Sequence, residues 1–278
     1  MSTPGEETVG LGSWYPGHMA RARRLIKESL KLVDAVVEMA DARVPLASRH
    51  PALAALATGK RTLLVLNKMD LADPGATNGF AGRFRAGGLP AVAVDSRSGD
   101  GVPGAVRLLI ELAGPVGTRR SGSGRDVRCM VVGLPNVGKS AFINRVAGKK
   151  AAATANRPGV TRGVQWIRLA PGLDLLDTPG VLWPRAVAGD IYYKLAATGI
   201  LAAESFDPVA VAVWLWEWLT GTHPGVLAPA PDAYAFLAAF GLSRGFLRTG
   251  GQVDETRTAI ALLQDFRGGR LGRLTLDS

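Results

Sequence analysis

Short apolar runs alternate with stretches of helical period along the first two thirds of the chain. The runs Ala35–Met39, Thr62–Leu66, Ala91–Val94, Val127–Val132, Val164–Leu169 and Leu173–Leu176 read as strands, several of them fully buried. Helices are predicted over Met19–Leu32, near Pro51–Ala57, and over Val102–Ala113 and Ala141–Val146. In the first, Met19, Ile26, Leu30 and Val33 make an apolar stripe, and Arg21, Arg24, Lys27 and Lys31 fall on a solvated face. From about Asp190 the pattern is helical throughout. Asp207-Pro208 caps and opens a helix over Val209–Leu219, Pro231 opens Asp232–Phe240, and Asp254 caps Glu255–Phe266. Ile260 and Leu263 are expected on one face of that last helix. Trp214 and Trp218 share a helix face, Trp216 points the other way, and core packing is expected for them.

This pattern divides the chain. Residues 1–12 read as a disordered tail, 13–185 as an α/β domain and 190–278 as a smaller C-terminal α-helical domain. Within the first domain, residues 114–126 form a Gly- and Arg-rich flexible linker. A chain of 278 residues has ample length for such cores. The formal net charge of +10 favours polyanionic partners. The single cysteine, Cys129, lies in a buried strand, which excludes an internal disulfide and fits the reducing cytosol. No apolar run is long enough to span a membrane, and residues 1–12 lack the apolar core of a signal peptide.

The chemistry lies where strands end. Gly133-Leu134-Pro135-Asn136-Val137-Gly138-Lys139-Ser140 follows one strand and opens a helix, which is the phosphate-binding loop in its required context. Asn136, Val137, Gly138, Lys139, Ser140 and Ala141 are expected to cradle phosphates with backbone N–H groups at a helix N-terminus. Lys139 is expected to reach the β- and γ-phosphates, and the Ser140 hydroxyl to hold Mg²⁺. Asn67-Lys68-Met69-Asp70 stands at the end of another strand. The Asp70 carboxylate suits the N–H groups of guanine's Watson–Crick edge, and adenine would leave it buried and unpaired. Asn67 and Lys68 would brace the loops and cover the ring. Asp95-Ser96 supplies a second base-contacting loop. Asp177-x-x-Gly180 offers Asp177 for Mg²⁺ and the Gly180 N–H for the γ-phosphate, and Thr161 is the best switch-loop ligand for Mg²⁺.

The order of these motifs is not that of an ordinary Ras-like domain, where the phosphate loop comes first. Here Asn67–Asp70 and Asp95-Ser96 precede it, so the domain is circularly permuted and residues 114–126 join the ancestral termini. The switch at Asp177–Gly180 then leads directly into the helical domain through Val181-Leu182-Trp183-Pro184. The fold class is therefore α/β: a circularly permuted P-loop GTPase domain with a smaller C-terminal α-helical domain.

Trp14-Tyr15-Pro16-Gly17-His18-Met19, Asp41-Ala42-Arg43, NKMD, GLPNVGKS, RPGVT and DTPGVLWP occur in this order. This set resembles the ribosome biogenesis GTPase A family, the YlqF-type permuted GTPases with mitochondrial relatives, over roughly residues 13 to 275. The resemblance implies GTP hydrolysis in late assembly of the large ribosomal subunit, with a precursor of that subunit and rRNA as partners. It also implies rRNA binding by the helical domain, where Arg267, Arg270 and Arg273 are the candidate contacts. It implicates His18 in positioning the attacking water, a role left open because Val181 occupies the position of the usual glutamine. Asn136 resembles the asparagine by which related GTPases bind K⁺. Two departures stand out: Ala141 replaces the usual threonine, and Arg162-Gly163 follow Thr161. A GTP-gated RNA-binding module with negligible turnover is the alternative function. No DNA contact is expected. The expected setting is the bacterial cytoplasm, with the protein a monomer off the ribosome. A mitochondrial setting would require a transit peptide missing from this chain.

Overall fold

The computed structural model describes residues 24, 26–49, 51–114, 125–148, 166–176 and 188–278. Six strands form one sheet in the order β3-β2-β1-β4-β6-β5. They are β1 (Ala35–Asp41), β2 (Arg61–Asn67), β3 (Ala91–Val94), β4 (Val127–Gly133), β5 (Trp166–Ala170) and β6 (Leu173–Leu176). All neighbouring pairs run parallel except the edge pair β5–β6. The predicted strands are all present, β1 and β2 reaching two residues and one residue further into their functional loops.

Strand β1 lies at the centre and is buried along its whole length. Its side chains alternate between two layers. Ala35, Val37 and Met39 face α4 (Val102–Ala113) and α5 (Lys139–Ala147), packing with Ala105, Leu109 and Phe142. Val36 faces the opposite layer, where α1 (26–32) and α2 (Pro51–Leu56) contribute Ile26, Leu30 and Leu53. Arg24, Lys27 and Lys31 are exposed while Ile26, Leu30 and Val33 are buried, and Met19 and Arg21 lie outside the described residues. Farther along, Ala40, Leu64 and Leu66 pack on Phe80 and Ala81 of α3 (Pro74–Ala86). Helix α3 was not foreseen from the sequence. Its Asp73-Pro74 start is a regular cap, Asp73 Oδ1 accepting from Ala76 N–H at 2.6 Å. Three glycines, a threonine and an asparagine dilute its apolar period.

The helical region comprises α6 (Gly189–Ala197), α7 (Pro208–Thr222), α8 (Ala233–Ser243) and α9 (Glu255–Arg267). Asp207, Asp232 and Asp254 each cap a helix with a side-chain oxygen. Trp214 and Trp218 are partly buried against the main core and Trp216 against a second cluster, Trp214 stacking on Tyr193 with ring centroids 5.6 Å apart. Ile260 does not join Leu263 inside: Leu263 is 2% exposed and Ile260 43%. The buried face of α9 runs instead through Ala259, Leu262 and Phe266, a rotation that leaves Ile260 at its rim. The largest apolar cluster runs continuously from β1 and β4 into Leu195, Leu215, Phe266, Leu274 and Leu276. The helices and the sheet are thus joined by shared core.

A buried ion cluster marks that junction. Asp41, at the end of β1, takes three bonds from Arg43, its backbone N–H at 3.1 Å, Nε at 3.0 Å and Nη2 at 2.8 Å, and a fourth contact from Lys68 Nζ at 2.9 Å. Arg43 Nη2 also donates to Thr198 O, just past α6. Burial alone pushes the Asp41 carboxyl up, but Arg43 and Lys68 outweigh it and hold it at about 2. Replacing Asp41 with Asn is expected to cost about 3–5 kcal/mol in urea unfolding, because Arg43 then stays buried without its counter-charge. The ordinary value for aspartate is 3.8, so the ionised pair contributes fully above that pH and is lost as pH falls through about 2. Acid titration of the unfolding free energy should show this loss in the native protein and not in Asp41→Asn.

Candidate functional site

The functional loops converge at the carboxyl ends of β1, β2, β3 and β4, where open α/β sheets hold ligands. After β4 the chain turns through Asn136, at φ 58°, and Gly138, at φ 100°, into α5. A Cβ at Gly133 would lie 2.5 Å from Met39 O, and one at Gly138 would overlap Asn67 Nδ2. Both glycines are therefore required by close approach, and Gly138 also by its left-handed backbone. Lys139 curls over this loop, its Nζ donating to Gly133 O at 3.0 Å and Leu134 O at 2.7 Å. Burial pushes its amine down. A phosphate placed over the loop would supply the negative charge that this ammonium lacks. Ser140 is exposed in the first turn of α5, as a metal-directed hydroxyl requires.

Asn67 joins three loops. Its Nδ2 donates to Val137 O at 2.8 Å, and its Oδ1 accepts from Ser96 N–H at 3.1 Å and Ser96 Oγ–H at 2.7 Å. Asn67 thereby bridges the phosphate loop and the Asp95-Ser96 loop. Lys68, at φ 62°, pairs with Asp41, and Met69 N–H donates to Val94 O at 3.2 Å. Asp70 Oδ1 is buried with no hydrogen-bond partner among the described residues. Burial and the nearby Asp95 charge push the Asp70 carboxyl above the ordinary range. Asp95 shapes its own turn, accepting from Arg97 N–H at 2.8 Å and Ser98 N–H at 3.2 Å. Despite partial burial, those bonds hold its carboxyl low. The Asp95 and Ser96 side chains therefore build the second loop from within, and Asp70 is the carboxylate left with an oxygen to offer.

Asn136 Nδ2 donates to Gly199 O at 2.9 Å, which leaves its Oδ1 available. His18, Thr161, Asp177, Gly180 and Val181 lie outside the described residues, so the structure brings together the base and phosphate loops only. Two of the arginines expected as rRNA contacts also make bonds within the fold. Arg267 Nε and Nη2 donate to Ala197 O and Ala196 O at 2.9 and 2.7 Å. Arg273 Nε and Nη2 donate to Ala72 O and Met69 O at 2.9 and 2.6 Å. Backbone carbonyls at the end of α6 and in the base loop are strong acceptors near these guanidiniums, and each guanidinium keeps N–H groups beyond the two bonds it makes. Arg270 pairs with Asp265 but remains 70% exposed. The grip of Arg273 on the base loop carried no signal in the sequence, since its acceptors are backbone groups about two hundred residues earlier.

Comparison with known proteins agrees with this geometry. Residues 128–209 match the family model described as 50S ribosome-binding GTPase. Ribosome biogenesis GTPase A of Priestia megaterium is 40% identical over 275 residues, spanning 95% of this chain and 96% of its own. A GDP-bound YlqF structure superimposes with a TM-score of 0.70 at 27% identity, covering 91% of this chain and 98% of that one. GNP-bound YlqF from T. maritima gives 0.71 at 28% identity, covering 92% and 97%.

Gly138→Ala is expected to displace Asn67 and open the contact between the base and phosphate loops. GDP affinity should fall at least about tenfold by titration calorimetry, which is about 1.4 kcal/mol. An unchanged affinity would mean that the two loops do not need each other.

Proposed function

Because this chain belongs to the ribosome biogenesis GTPase A family, we propose that it times its departure from a large-subunit precursor by hydrolysing GTP to GDP and phosphate. The chain is a GTPase of ribosome biogenesis, and that family works on GTP with Mg²⁺. The observation that carries the base assignment is the buried, unpartnered Asp70 Oδ1 beside the Asn67-braced loops. Guanine's N1–H and amino group would satisfy that carboxylate. Adenine offers no matching donors and would leave it buried and unpaired.

On this reading Lys139 leaves Gly133 O and Leu134 O for the β- and γ-phosphates. Ser140, Thr161 and Asp177 are the residues that would hold Mg²⁺, which would neutralise charge on the phosphates. The Gly180 N–H meets the γ-phosphate, and loss of that phosphate releases the switch. Val181 can neither donate nor accept a hydrogen bond through its side chain, and the family resemblance implicates His18 as the group that orients the attacking water. Asn136 Oδ1 contributes to a K⁺ site beside the phosphates. rRNA is met by the helical region, with Arg267, Arg270 and Arg273 the candidate contacts, and the protein acts as a monomer in the bacterial cytoplasm. Among the described residues no helix is long and apolar enough to cross a membrane.

Two measurements test this. Asp70→Asn should weaken GTP binding and favour xanthine nucleotide, whose 2-oxygen accepts from the new amide; wild-type protein that binds ATP as well as GTP would overturn the base assignment. Hydrolysis should be slow alone and faster with purified large subunits, and faster in K⁺ than in Na⁺ at equal ionic strength. His18→Ala should bind subunits normally yet lose roughly 10²- to 10⁴-fold of the stimulated rate. No stimulation by subunits would favour a GTP-gated binding module, and a full rate in His18→Ala would make that residue structural.

A further inference from the structure

Residues 273–277, which follow the turn after α9, run along the base loop. Arg273 takes Ala72 O and Met69 O with its guanidinium. Leu274 N–H donates to Leu71 O at 3.1 Å, and Thr275 Oγ1 accepts from Asp73 N–H at 3.1 Å. Farther on, Leu276 N–H donates to Arg43 O at 2.7 Å, and Asp277 Oδ2 accepts from Leu46 and Ala47 N–H at 2.7 and 3.1 Å. Leu274, Thr275, Leu276 and Asp277 are all buried, so this segment is packed in place.

Asp70 sits among the gripped carbonyls of Met69, Leu71 and Ala72. Its carboxylate can meet a base only where its own backbone puts it, and a fit of this kind tolerates only small displacements. We propose that residues 273–277 form a strap that positions Asp70 for the guanine edge, with Arg273 as its principal positioning residue. This rests on the guanine reading of Asp70. The strap departs from α9, so a macromolecule that shifts the helical region must loosen its grip and weaken guanine binding. By reciprocity, bound guanine nucleotide holds the helices in place.

The test compares dissociation constants for GDP, for IDP, which lacks the 2-amino group, and for ADP. Wild type should prefer GDP to both. Arg273→Ala should lose roughly tenfold in GDP affinity, within the usual range of coupling between sites. Its IDP affinity should fall much less, so the GDP:IDP ratio collapses. Thr275→Val should move the ratio the same way by less, and it carries the test if Arg273→Ala does not fold. Arg273→Lys should restore part of the ratio, since an ammonium can still reach one carbonyl. Equal losses for GDP and IDP would reveal general loosening and overturn the strap. Unchanged GDP affinity with weaker rRNA binding would make Arg273 a nucleic-acid contact and overturn it as well. A wild type that binds ADP as well as GDP would instead defeat the guanine reading beneath it.

Discussion

One side chain, Asn67, holds the site together. Its amide has one donor side turned to the phosphate loop at Val137 and its acceptor turned to both polar groups of Ser96. Three loops from three strands are thereby held at one place by a group that cannot rotate without losing several bonds. The approach is so close that position 138 admits no Cβ. A buried amide satisfied on both ends resists displacement, because each unmade bond would leave a polar group dry. Base recognition and phosphate binding become parts of one rigid surface.

A second constraint ties this surface to the helices. Asp41 receives Arg43 and Lys68 together, and Arg43 reaches on to Thr198 O and over the Phe266 ring at 5.6 Å. Lys68 belongs to the base motif, so the ion cluster touches the nucleotide site, the centre of the sheet and the helical region at once. With an apolar cluster shared across the same junction, the helices and the sheet do not behave as beads on a string. Motion of one must be accommodated by the other.

Circular permutation gives this arrangement its sense. With the base loops early in the chain and the phosphate loop in the middle, the latter half supplies the helices. The Asn136–Gly199 bond and the residues after α9 bring that half back onto both nucleotide loops. The helical region therefore reads the site from its phosphate end and from its base end.

The sequence alone determined the phosphate loop, the base motif, their inverted order and the strands beneath them. Phosphate and base recognition require contiguous residues at strand ends, so their signal is local. Burial of Cys129 was equally legible from its apolar run, and the thiol sits with no exposed surface, pushed up to about 12. Helix α3 was missed although Asp73-Pro74 announced it, because its apolar period is weak. Ile260 and Leu263 were read as one face because a spacing of three cannot tell the centre of a helix face from its rim. Only the tertiary structure decided what the arginines do. A guanidinium reads as bare charge in sequence, but its partners are carbonyls presented by distant backbone, and no local pattern encodes them. The same holds for Asp95: its carboxylate faces its own turn because that turn offers N–H donors at short range, which only the folded loop makes visible.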